Sequence, residues 1–143
     1  MTADDTDFAL PKTLEPSLAE VRAYWERLKR ADNSMPFWDD VRLSALPDLA
    51  GRLLLIDAFE KPERFRFNTV GKALTERYGS AVNGRFIDEA ELKAPFELLL
   101  AQCSATVAQR APTYQADGGS ARILLPMWGD GRIGMLLGCI DQG

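Results

Sequence analysis

At 143 residues, 46% hydrophobic and 27% charged, the chain has the size and composition of one globular domain that buries a core without metal or disulfide staples. Its net charge of −4, with 17 basic residues scattered among 21 acidic ones, offers no field to attract nucleic acid. Histidine is absent, which excludes a His general base, a Ser-His or Cys-His pair, a His-ligated zinc and a proximal His for haem.

Met1 to Asp7 carries three aspartates and no basic residue, the opposite of a secretory leader. The longest apolar run, Leu53 to Ile56, is far short of a membrane span, so the expected location is the cytoplasm. Residues 1–16 are acidic, proline-bearing and without periodicity, which reads as a flexible lead-in to a single domain over 17–143. Ser17-Leu18-Ala19-Glu20 matches a capping box, and Leu18, Val21, Trp25 and Leu28 then fall at helical spacing, predicting a helix over 17–31.

Pro36 to Leu49 reads as one or two short helical turns. Leu53–Phe59 and Arg64–Val70 read as strands joined by the turn Lys61-Pro62-Glu63, an antiparallel hairpin. Lys72–Tyr78 reads as a short helix closed by Gly79. Leu92, Phe96, Leu99, Leu100, Cys103 and Val107 share one face of a long helix expected between Glu91 and Gln109. The acidic group Asp88, Glu89 and Glu91 would meet that helix's positive end. Three strands follow, Pro112–Ala116, Ala121–Trp128 and Arg132–Ile140, with turn signals at Asp117-Gly118-Gly119 and Gly129-Asp130-Gly131.

This order predicts an α+β domain with a five-stranded antiparallel sheet, strand order 2-1-5-4-3, and helices on one face. The last two strands are apolar on both faces, whereas a sheet with one wet face alternates apolar and polar residues. Something must cover the second face, and the N-terminal helix is the candidate, on its own sheet or on a partner's.

The run Arg64 to Gly79, the tetrad Asn83-Gly84-Arg85-Phe86, and Leu124-Leu125-Pro126 with Asp130-Gly131-Arg132 resemble the small single-domain PAS-like proteins of alphaproteobacteria. The resemblance covers residues 17–140 and is most specific in the strand-to-helix run. It implies a sensory or regulatory domain in signal transduction, binding a small, largely apolar ligand between sheet and helices, a protein partner, or both. It also implies a homodimer paired through the N-terminal helix, which makes Leu18, Val21, Trp25 and Leu28 core or interface residues. Light-sensing flavin relatives carry a reactive cysteine in an Asn-Cys-Arg-Phe run, and Gly84 stands where that thiol would be. Covalent flavin photochemistry and His-ligated haem are therefore not expected, nor is any other cofactor. No output segment follows, so output is expected through a protein partner.

The ligand-binding candidates are Phe67, Thr69, Leu74, Tyr78, Phe86, Leu99, Cys103, Leu125, Met127, Met135 and Leu137. On simple alternation Phe65, Phe67 and Thr69 share a strand face, the sets Ile123/Leu125/Met127 and Met135/Leu137 face inward with them, and Leu74, Tyr78, Phe86, Leu99 and Cys103 close the cavity from the helical side. The chief polar atoms there are the Tyr78 hydroxyl and Thr69. Cys103 and Cys139 both lie on apolar faces, the setting of an inert buried thiol.

The glycines match no phosphate-binding loop, and no catalytic or metal-binding constellation is visible. A rival class is a small enzyme of the ketosteroid-isomerase-like type, which would need a carboxylate base beside a Tyr donor. Asp57 and Tyr78 are its candidates. A third class is an interaction adaptor whose core is full.

Overall fold

The structure is a computed structural model that describes residues 8–117 and 119–142. Its strands are β1 (Leu53–Phe59), β2 (Arg64–Val70), β3 (Thr113–Asp117), β4 (Ser120–Gly129) and β5 (Arg132–Asp141). They pair antiparallel in the order β2-β1-β5-β4-β3. With the helices α1 (Pro16–Arg27), α2 (Lys72–Tyr78) and α3 (Leu99–Gln109), this is the α+β fold and strand order read from the sequence. The turn signals act as expected. Asp130 and Gly131 form a two-residue hairpin turn at φ 55° and 77°, and Gly79 closes α2 at φ 104°.

Residues paired directly across the sheet point to the same face. One face therefore carries Leu53, Leu55 and Asp57 of β1 beside Cys139, Leu137 and Met135 of β5, and next to them Ile123, Leu125 and Met127 of β4. The other carries Leu54, Ile56 and Ala58 with Val70, Phe67 and Phe65 of β2, and with Leu136 of β5. We call these the outer and inner faces. The inner face packs under α3, whose Gln102 bonds Thr113, and the outer face lies under α1, whose Ser17 hydroxyl donates to Asp141 at 2.8 Å.

Coverage on both sides explains the two-sided apolar strands. Ala121 to Met127 and Met135 to Ile140 are buried throughout. The N-terminal helix covers its own chain's sheet. Leu18, Val21 and Trp25 are buried there, and the Trp25 indole N–H donates to the Pro126 carbonyl at 2.9 Å. Pro126 tolerates this position because β3 pairs with β4 only as far as Leu124, leaving the far half of that edge without a strand neighbour.

The predicted boundaries fail in three places. Ser17 does not cap α1: the N-cap is Glu15, Pro16 takes the first turn, and the helix ends at Arg27. Residues 8–16 are not a loose lead-in, because Phe8 is buried and Leu10 and Leu14 pack on the core; residues 1–7 lie outside the described residues. The long helix from Glu91 does not form. α3 begins at Leu99, because Pro95 disfavours helix before it and the carbonyls of Pro95 and Glu97 accept from the Arg122 guanidinium instead of from helical amides.

Candidate functional site

The inner face is where the ligand cavity was expected, and side chains occupy its centre. A depression of about 210 Å³ opens at its margin, between Ala58 near the end of β1 and Val107 and Arg110 at the end of α3. Phe67, Leu74, Leu99 and Cys103 are fully buried and Tyr78 nearly so. The Phe96 ring stands 5.0 Å from Phe67 and 5.4 Å from Tyr78, centroid to centroid, in tilted packing. The Tyr78 hydroxyl donates to the Glu91 carbonyl at 2.8 Å, so the polar atom expected to orient a ligand holds the chain instead. Burial raises the Cys103 thiol well above its ordinary value, only partly offset by the nearby Arg122 charge.

Arg122, 3% exposed, seals the α3 end of this face. Its Nε donates to Gln102 Oε1 at 2.6 Å, Nη1 to the Pro95 carbonyl at 3.1 Å and Nη2 to the Glu97 carbonyl at 2.8 Å. Gln102 in turn donates to Thr113, which shares a 2.6 Å hydrogen bond with Thr106. Burial pushes the Arg122 guanidinium down to about 10. Sequence reasoning missed this network. The available signal was one arginine inside a strand otherwise apolar on both faces.

The remaining candidates do not join the set. Asn68 is an extra residue where β2 bulges against β1, so Thr69 pairs with Leu55 on the outer face while Phe67 pairs with Ile56 on the inner one. Leu125, Met127, Met135 and Leu137 also face outward, on the side of α1, because their partners Leu55 and Asp57 do. Phe86 is half-buried at the β2 edge, with the Arg64 guanidinium 3.8 Å above its ring and Phe59 5.9 Å away. The proposed cavity is thus divided by the sheet itself. Likewise Leu18, Val21 and Trp25 are core of this chain rather than an outward-facing dimer surface, while Leu28 is half-buried.

Asp57 and Tyr78, the pair an isomerase-like site would need, are separated in the same way. Asp57 lies on the outer face, accepting from Arg66 Nη2 at 3.0 Å, and Tyr78 packs with Phe96 on the inner one. Asp88 and Glu89 pair with Arg64 at 3.1 and 3.0 Å instead of meeting a helix end. Cys139 is buried on the outer face, and burial pushes its thiol up to about 12. Among the described residues, no cluster of three or more His, Cys, Asp or Glu could hold a metal, and no helix is long and apolar enough to cross a membrane.

The outer face is open over β1 and β2, beyond α1. A depression of about 370 Å³ is lined by Trp38, Asp39, Val41, Arg42, Leu55, Asn68 and Met135. A second, of about 240 Å³, shares Trp38, Asn68 and Met135 with it and extends to Asp57, Asp130 and Arg132. Trp38 is 45% exposed, beside Leu98 one of the exposed large apolar side chains of the described chain. It is also held firmly. Phe37 forms a parallel bridge with Trp128, whose amide donates to Pro36 at 2.8 Å, along the half of the β4 edge that β3 leaves open. A Cβ on Gly129 would lie 2.5 Å from Trp38 Cδ1, so the indole rests on bare backbone there.

No protein-family model matches the chain, and no curated protein matches it.

Proposed function

We propose that this chain is a PAS-like regulatory domain of the cytoplasm that works by binding protein, without enclosing a ligand and without catalysing a reaction. The observation that carries the reading is the packed centre of the inner face, where the expected ligand residues converge. Phe67, Phe96 and Tyr78 pack ring against ring where a ligand would lie, and the Tyr78 hydroxyl and Arg122 guanidinium are committed to backbone carbonyls. A ligand entering there would have to displace packed aromatic area and leave those polar groups unpaired. The buried thiols offer no nucleophile, since burial raises both. The outer groove around Trp38, in contrast, is accessible, apolar at its floor and charged at its rim, which is the anatomy of a protein contact.

The test is thermal denaturation of the purified protein against a panel of small apolar and aromatic compounds, flavins and haem included. An unchanged melting temperature is expected throughout. A saturable rise with any one compound would show a ligand held by the native state and would sink the reading.

A further inference from the structure

The groove around Trp38 itself narrows the choice of protein partner. An exposed tryptophan and an adjoining hollow occupy one patch, with Leu55 and Met135 at its base. Knob and hole side by side are what a two-fold contact between identical surfaces requires. The rim carries both signs of charge in equal number: Asp39 and Asp130 against Arg42 and Arg132, whose Nη1 atoms donate to backbone carbonyls rather than to a carboxylate, while Asp57 is already paired with Arg66. Copies of a chain with net charge −4 repel one another, but this patch is close to neutral and lets carboxylates of one copy face guanidiniums of the other. The Trp38 indole is seated on Gly129, and the backbone just before it is tied to Trp128, so little side-chain freedom is lost on docking.

We propose that a second copy of this chain docks here across a two-fold axis, the Trp38 of each copy entering the hollow over Leu55 and Met135 of the other. The contact is distinct from the pairing through Leu18, Val21 and Trp25 that the N-terminal helix would make. It rests on the reading of the chain as a protein-binding domain, yet fails separately from it. A ligand-induced rise in melting temperature would sink that reading and leave this contact standing; a monomeric protein would do the reverse.

The experiment is sedimentation equilibrium on the full chain and on Trp38→Ala, with Leu98→Ser as a control on another part of the surface and circular dichroism to verify folding. The wild type and the control should be dimers, and Trp38→Ala should dissociate about tenfold more readily or worse. A monomeric wild type, or a dimer equally strong in folded Trp38→Ala, would overturn the proposal. Should the variant not fold, NMR of the unaltered protein decides. The Trp38 indole N–H resonance should move with concentration while that of buried Trp25 stays, and a Trp38 resonance independent of concentration would overturn it.

Discussion

The Arg122 guanidinium donates to Gln102 Oε1 at 2.6 Å inside the core, which ties β4 to α3 through a charge with its hydrogen bonds spread over one amide and two backbone carbonyls. The carbonyls of Pro95 and Glu97 belong to the irregular segment before α3, so the arginine also determines where that helix starts.

Replacing Arg122 with methionine keeps much of the side-chain bulk but leaves those acceptors buried and unpaired. The expected loss is about 2–4 kcal/mol of unfolding free energy, read from urea denaturation. Arg122→Lys should recover only part of it, because an ammonium cannot reach three divergent acceptors as a planar fork does. Hydrogen exchange should accelerate first at residues 91–98.

The chain's order of elements was legible because its signals are local. Apolar alternation marks the strands, and Gly79 and the pair Asp130-Gly131 mark the stops. What failed were features set by tertiary contacts. Leu92 and Phe96 keep helical spacing with Leu99, yet Arg122 takes the carbonyls a helix there would use. Asn68 adds one residue to β2, and one residue is enough to send Thr69 to the opposite face from Phe67. Two-sided coverage was readable from β4 and β5, but which apolar set faced which layer depended on register. The Trp38 groove had no sequence signal beyond an aromatic in a short, turn-rich stretch.

Trp25 and Trp38 should respond oppositely to truncation. Trp25 is 2% exposed and bonded to Pro126, so Trp25→Ala should cost about 3–5 kcal/mol of stability. Trp38→Ala should lower the urea midpoint far less than Trp25→Ala, and only as far as the lost association and its seat on Gly129 dictate, while weakening association. Paired denaturation and sedimentation data on both variants check this.

Gly71 precedes α2 and passes against the turn before β1, where an added Cβ would stand 2.5 Å from the Ala50 carbonyl oxygen. Backbone cannot yield as a side chain can. Gly71→Ala should therefore destabilise by about 1–3 kcal/mol although its φ of −63° suits any residue. An unchanged melting temperature would show that the turn relaxes freely.

Stability should fall on the alkaline side. The Tyr114 hydroxyl is pushed up to about 12 by burial and by its bond to Glu15, from an ordinary 10.0. Its folded value lies above its unfolded one, so its contribution is complete below pH 10.0 and is lost as pH rises through about 12. Cys139, raised from 9.0 to about 12, and Cys103, also raised, act in the same direction. Arg122, lowered from 12.5 to about 10, opposes them above that pH. Tyr114→Phe should flatten the decline in urea midpoint between pH 10.0 and about 12, and an unaltered slope would remove Tyr114 as its source.

Native mass spectrometry of freshly purified protein, followed by denaturing analysis of the same sample, shows whether the domain holds a small molecule or acts through its surface alone. The native mass should equal the bare chain or a whole multiple of it, with nothing released on denaturation. A native mass in excess of that, with a small molecule set free when the chain unfolds, would contradict action through the surface alone.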